Sequence, residues 1–266
     1  MNEKFANSPL IELVAEVRWK TEHKIKQPVL PGEDLDLQEQ FFTNLAGELA
    51  SKGYVTSERL VPNGFPLVSG LPTVRFKKSP SDGTPEQRAK DLSTLYQVGV
   101  GLFTINAIQP YSCWEDFIQV IRTGLEALLS IESNKVGSGF QISIRYIDGF
   151  GESFTDGLSL RMFLSQKLGL NIGLPTAFED EYSNGDSDIP GLRIRSPLEF
   201  GTHIVNFAEG TVKSQPVYIM ENIVKFNKDI DGEADKLIAE MTLARDVIHK
   251  RFLSMTHALH SIMQPI

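Results

Sequence analysis

The stretch GFQISIRYIDGFGES, residues 139–153, brings an arginine, a tyrosine and an aspartate to the end of a run of alternating polarity. Phe140, Ile142, Ile144 and Tyr146 fall on one side of that run, with Gln141, Ser143 and Arg145 on the other. This period of two is the signature of a half-buried strand. A strand arginine presents a planar fork suited to a carboxylate or a phosphate. The same fork also closes a salt bridge between strands, and Glu12 and Glu16 stand on a polar strand face where they are available for it. Arg145, Tyr146 and Asp148, with Glu12 and Arg18 from the first strand, are the candidate binding residues. The point to settle is what Arg145 faces.

Other groupings carry less chemistry. His249, His257 and His260 lie 8 and 3 residues apart in one helical stretch. Zinc favours closer spacing, such as His at i and i+4 with a third ligand, and no Cys/His cluster elsewhere completes a site. No metal is expected, and His249 is kept as a binding residue. Cys113 precedes Trp114 at a helix start, where a thiol pKa can fall, yet no histidine is near it in sequence. The acidic loop EDEYSNGDSD (179–188) lacks EF-hand spacing. Gly99 and Gly101 are not followed by the Gly-Lys-Ser/Thr of a phosphate loop, and no triad or dinucleotide fingerprint is present. No cofactor is expected, and catalysis would need residues gathered from distant parts of the chain.

Periodicity supplies the elements that must position these groups. Residues 11–20 alternate as a strand; Leu37, Phe41, Leu45 and Leu49 recur every four residues as a helix ending before Gly53. TVRFKK reads as a short strand, SPSDGTPEQRAKD as a loop or frayed helical turn, and STLYQVGVGLFTINAI as one strand with a glycine bulge. The basic run Arg75, Lys77, Lys78 reads as an edge strand kept soluble by its lysines. Trp114, Phe117, Ile118, Ile121, Leu125 and Leu128 form a helical stripe, with Ser112 and Glu115 as a capping box. After the 139–150 strand come a short helix, LSLRMFLSQKLGL, strands in LRIRSPLEFGTHIVNFAEG and QPVYIMENIVKFN, and one long helix over 233–263. A helix that long cannot bury its stripe alone.

The fold class is therefore α+β, a largely antiparallel sheet covered by helices. Residues 1–150 form a ferredoxin-like βαββαβ half; residues 151–266 add a helix, strands and the long C-terminal helix, packed with it as one globular unit. The alternative is a single curved sheet gripping the C-terminal helix over an apolar cavity. With 266 residues, 41% hydrophobic, the chain can bury a sizeable core. A net charge of −8 opposes nucleic-acid binding. A single cysteine permits no internal disulfide, and neither a signal peptide nor a transmembrane segment is legible, so a soluble cytoplasmic protein is expected.

Four stretches resemble a sporadically distributed, uncharacterised bacterial family of about this length. They are SPLIELVAEVRW with Pro9, Glu12 and Arg18; YQVGVGLFTINAIQPYSCWEDF with Gln97, Val98, Gly99, Asn106, Tyr111, Trp114 and Glu115; ISIRYIDGF; and IHKRFLSMTHAL with His249, Phe252 and Thr256. The third departs from the family's Arg-Tyr-Ile-Asn by carrying Asp148. The resemblance implies membership of a mobile anti-phage or toxin–antitoxin locus. It implies no reaction. We accordingly expect a non-catalytic protein that binds a partner, either a neighbouring gene's product or a second copy of this chain, or an apolar or lipid ligand. The C-terminal helix, with the adaptable side chains Met241 and Met255, or the space beneath it, would be the binding element. A hydrolase or nuclease-like effector is the alternative, and it requires Glu12, Glu16, Asp148 and Arg145 to gather at one cleft. An RNA-binding ferredoxin-like module is the second alternative.

Overall fold

Alternation along the first strand, β1 (Leu10–Trp19), buries Leu13, Ala15, Val17 and Trp19 on one face. The computed structural model describes residues 5–21, 28–29, 33–62, 65–111, 113–131, 139–178 and 187–266. In chain order β1 is followed by β2 (Pro28–Val29), α1 (Glu33–Ser51), β3 (Thr56–Arg59), β4 (Leu67–Val68), β5 (Val74–Lys77) and α2 (Pro85–Asp91). Next come β6 (Thr94–Gly99), β7 (Leu102–Ile108), α3 (Trp114–Leu129), β8 (Gly139–Phe150), α4 (Glu152–Thr155) and α5 (Leu160–Gln166). The chain ends in β9 (Gly191–Leu198), β10 (Gly201–Val212), β11 (Gln215–Phe226), β12 (Ile230–Asp231), α6 (Ala234–Met255) and α7 (His260–Met263).

Ten strands form one antiparallel sheet in the order β3-β5-β6-β7-β1-β8-β11-β10-β9, with β12 paired to β8. The sheet stays open, with β3 and β9 at its edges, and β2 pairs with β4 as a separate ribbon. The fold is α+β. The ferredoxin-like placement of β1 between the strands that precede and follow α3 is present, since β1 pairs with both β7 and β8. The single strand expected over 94–108 is instead the hairpin β6–β7, turning at Val100 and Gly101. Gly101 has φ +69, a conformation that glycine adopts at no steric cost. β3 adds a strand outside β5, so the Arg75 and Lys77 strand is internal, and both side chains pair with Glu58 of β3. The LRIRSPLEFGTHIVNFAEG stretch is two strands, β9 and β10. The β10–β11 hairpin turns on Lys213 and Ser214, both at positive φ.

Helix α3 begins one residue later than the capping box required, with Cys113 at the N-cap making no side-chain cap bond. Ser112 lies outside the described residues, as do residues 179–186 of the acidic loop. The long C-terminal helix stops at Met255. A 3₁₀ turn over His257–Leu259 separates it from α7.

The apolar side chains gather in two cores. The first joins β1, β5–β8, α1, α3 and the N-terminal half of α6, through residues such as Leu13, Tyr96, Phe117, Ile144 and Met241. The second joins the end of β8, α4, α5, β10, β11 and the C-terminal end of α6 with α7, through Phe150, Phe163, Phe207, Met220 and Met263. The stripe on α6 is divided between them: Leu237, Met241, Ala244 and Ile248 are buried in the first, while Phe252 and Met255 pack on the second. The methionines proposed as a binding surface are thus packing residues, Met241 fully buried and Met255 half-buried.

Gly99 shows how tightly the β6 end is held. A Cβ there would lie 1.9 Å from the Leu71 carbonyl oxygen. Gly99→Ala is expected to lower stability by about 2 kcal/mol or more, because backbone must move. Urea denaturation measures it, and an unchanged midpoint would show that the Leu71 segment does not press on this strand.

Candidate functional site

Period two along β8 sends its candidate residues to opposite faces. Arg145 points to the face opposite α6, where it meets Glu221 of β11 at 3.4 Å. Glu221 also accepts from Asn206 at 2.6 Å. On the same face Glu16 takes both the Nε and an Nη of Arg18, at 2.6 and 3.1 Å, and a bond from the Ser143 hydroxyl. Burial pushes the Glu16 carboxyl up, but the Arg18 hydrogen bond and charge outweigh it and hold the group below its usual range. Glu12 accepts from Asn106 at 2.7 Å. Each carboxylate on this face therefore has its own partner.

Tyr146 and Asp148 point the other way, toward α6. A bulge in β1 between Leu10 and Glu12 puts Leu10 opposite Asp148. Gly149 makes room for it, since a Cβ at 149 would lie 2.6 Å from the Ile11 side chain. The cleft of Glu12, Glu16, Asp148 and Arg145 required by the hydrolase reading does not form. Asp148 is separated from the other three by the thickness of the sheet.

Asp148 instead lines a cavity of about 150 Å³. Leu10, Tyr146 and Asp148 form its sheet wall. Tyr111, Cys113, Trp114 and Glu115, at the start of α3, form a second side; Arg245, Ile248, His249 and Phe252 of α6 form a third. Phe5 and Ser8 complete it. The N-terminal segment is pinned there by the backbone bonds Ala6 to Gln264 and Asn7 to Met263, both 2.9 Å, and Phe5 packs against Phe252 and His260. Three of the α6 residues follow from spacing. Arg245, His249 and Phe252 step by four and three, so they share one helical stripe.

The polar groups of the cavity are unusual for a core. Asp148 is 3% exposed and its Oδ2 has no hydrogen-bond partner among the described residues; nor has the indole Nε1 of Trp114, 4% exposed. Burial lifts the Asp148 carboxyl to about 8, so the group is largely uncharged at neutral pH. The Tyr146 oxygen is hydrogen-bonded by Arg245 and Tyr111, and burial pushes both tyrosine hydroxyls well above their usual range. Deeper under α6, Asn222 stands opposite Tyr146 in register. His203, 2% exposed, sits between the Asn222 Oδ1 at 3.3 Å and an Arg251 Nη at 2.6 Å. Arginine can only donate, so Nδ1 accepts and Nε2 carries the proton. Burial, then the Arg251 charge, lowers the imidazole to about 4.

Of the candidates from sequence, Tyr146, Asp148 and His249 meet at this cavity. Arg145, Glu12 and Arg18 lie on the far face, and Met241 and Met255 belong to the packing on either side. Tyr111, Trp114, Glu115 and Phe252 stood in the quoted resemblance stretches, and three segments distant in sequence converge here. Arg245, Asn222 and His203 were missed. The i, i+4 relation of Arg245 to His249 was the available signal; Asn222 and His203, single polar residues within apolar strands, gave none. Among the described residues no group of three or more His, Cys, Asp or Glu is placed to hold a metal, and no helix is long and apolar enough to cross a membrane.

Two titrations test this electrostatic picture. Asp148 binds its proton more tightly folded than unfolded, so its contribution to stability is full below about pH 4 and lost as pH rises through about 8. Asp148→Asn should therefore match wild type near pH 4 and exceed it by about 2 kcal/mol or more at pH 8, measured by chemical denaturation. A gap that does not widen with pH would place the carboxylate in contact with water. His203 has the opposite sign: its lowered value favours the native state above pH 6.5, and that advantage falls away as pH drops toward 4. Its ring resonances in the folded protein should titrate below pH 5, and a midpoint near 6.5 would contradict the burial. No protein-family model, curated protein or solved structure matches the chain.

Proposed function

We propose that this chain is a non-catalytic binding protein whose ligand is a small molecule with an apolar body, seated between β1, β8, the start of α3 and α6. The observation that carries the reading is the cavity itself, walled by aromatic and aliphatic side chains and bordered by a buried carboxyl whose Oδ2 lacks a partner among the described residues. Binding pockets commonly combine apolar walls with a few converging polar groups. A cavity of about 150 Å³ suits a guest the size of a single ring. A small ligand is favoured over a docking protein because the apolar stripe of α6 is used internally, Leu237, Met241, Ala244 and Ile248 each being at most 1% exposed. A non-catalytic role is favoured because the carboxylates of the far face are individually paired and stand apart from Asp148.

The expected outcome is that single-ring apolar compounds such as toluene and ethylbenzene raise the melting temperature, or that native mass spectrometry finds a small molecule retained through purification. Cys113→Phe should abolish either effect while leaving the melting temperature of the free protein within about 2 °C. Cys113 is only half-buried and makes no cap bond, so the added ring fills the cavity mouth at little cost. Absence of both a retained molecule and any shift with millimolar ring compounds would sink the reading.

A further inference from the structure

A narrower inference, resting on the small-ligand reading, concerns which polar head that ligand carries. The unmet hydrogen-bonding capacity at the cavity is carried by Trp114 Nε1 and Asp148 Oδ2. Trp114 Nε1 can only donate, and it is buried without an acceptor among the described residues. Asp148 is buried with Oδ2 unpartnered, and in its uncharged form it offers an O–H. The Tyr111 O–H is used on the Tyr146 oxygen, while the Tyr146 hydroxyl is itself protonated throughout the physiological range because burial raises it. Arg245 contributes positive charge to the same wall, its guanidinium being engaged by Asp246 and Tyr146. The positive end of the α3 dipole lies behind Trp114 and Glu115, and the N-cap residue Cys113 makes no side-chain cap bond. Glu115 on this wall is already engaged within the protein, so a cationic head would meet Arg245 and find no settled counter-charge in Asp148. An apolar guest would leave the indole N–H and the carboxyl unpartnered. A head with acceptor lone pairs satisfies both.

We propose that the cavity takes a single-ring aromatic compound bearing an acceptor oxygen, as a phenolate, carboxylate or carbonyl, with the ring against Leu10, Ile248 and Phe252 and the oxygen accepting from Asp148, with Trp114 and Tyr146 as the other donors. The arrangement is that of a buried, uncharged carboxylic acid and tyrosines donating to an oxyanion in an apolar site. Only binding is assigned, with no bond made or broken.

Four probes of nearly equal size separate the outcomes: toluene, 4-nitrophenol, benzoate and benzylamine, titrated calorimetrically near pH 6.5. Benzoate or 4-nitrophenolate is expected to bind at least tenfold tighter than toluene, and benzylamine no tighter than toluene. Bound 4-nitrophenol should also show its phenolate absorbance at a lower pH than the free compound. Trp114→Phe, which keeps a ring in place, and Asp148→Ala should each reduce the ratio of benzoate to toluene affinity about tenfold, whereas Asp148→Asn, which keeps a donor, should retain most of it. Thermal melts of all three confirm folding, and Trp114→Phe alone suffices if Asp148→Ala fails to fold. Benzoate affinity should fall as pH rises through about 8, as Asp148 loses its proton. The other titratable or charged groups facing it are Tyr111, Cys113 and Glu115 at the start of α3, Tyr146 on β8, and Arg245 and His249 on α6. A flat profile in Asp148→Asn assigns the fall to Asp148 and not to these. Equal affinity for benzoate and toluene, or tightest binding of benzylamine, overturns the acceptor-oxygen inference and leaves the small-ligand reading standing. Failure of every probe, toluene included, overturns both.

Discussion

Strand β8 is hydrogen-bonded along one edge to β1 and along the other to β11 and β12, and this double pairing fixes the direction of every side chain it carries. A shift of one residue would exchange its faces, moving Ile142, Ile144 and Phe150 out of the cores and Gln141, Ser143 and Arg145 into them. Such a slip would expose three buried apolar side chains and desolvate an arginine, so the register has no near competitor. The same constraint joins the two halves of the chain into one sheet. Through it the meander β3-β5-β6-β7 and the meander β9-β10-β11 share a backbone ladder.

Between the two cores the helix-covered face has a seam. On β8 the seam falls between Ile144, in the first core, and Phe150, in the second; on β11 it falls between Val224 and Met220; on α6, between Ile248 and Phe252. The residues at these places are Tyr146, Asp148, Asn222 and His249, with His203 beside them on β10. A continuous apolar core would bring the helix down on close-packed side chains. Here polar residues occupy the join, and the cavity lies where the two packings meet. Its position thus follows from the break in apolar alternation along three neighbouring elements.

Much of this was legible in the sequence, and the failures have physical causes. Strand alternation in β1 and β8, the α3 stripe and the α6 stripe were all readable, because a single face of each is buried and period then reports burial. The β6–β7 hairpin was misread as one strand because its two-residue turn preserves apolar character throughout; Val100 is itself fully buried. β3 was missed because Thr56, Ser57 and Glu58 are exposed, so an edge strand of four polar residues has no periodic signal. Of the site, Tyr146, Asp148 and His249 were found but grouped with Arg145, Glu12 and Arg18. Parity separates them. It was visible for Arg145 against Tyr146, yet the bulge at Ile11 that turns Leu10 toward Asp148 is a register irregularity between distant segments, and no local pattern encodes it.

The buried titratable residues His203 and Asp148 lie on the same face of the sheet and differ in how far the protein satisfies them. His203 is closed on both ring nitrogens, by Arg251 and Asn222, within the protein. Such a network holds β10 to α6 and closes the imidazole, although the Asn222 Nδ2 is buried without a partner among the described residues. Asp148 is open: its raised value corresponds to about 4 kcal/mol lost at pH 7 relative to an ionised aspartate in the unfolded chain. That is a large share of the 5–15 kcal/mol that separates native from unfolded states. Met220, directly opposite on β11, shows that an apolar side chain fits this layer of the sheet. A carboxyl kept in its place, with Oδ2 unpartnered among the described residues and bordering a cavity, is therefore a poor stability choice. The fold fixes it between paired strands at the cavity wall, and on that placement the proposed ligand reading rests.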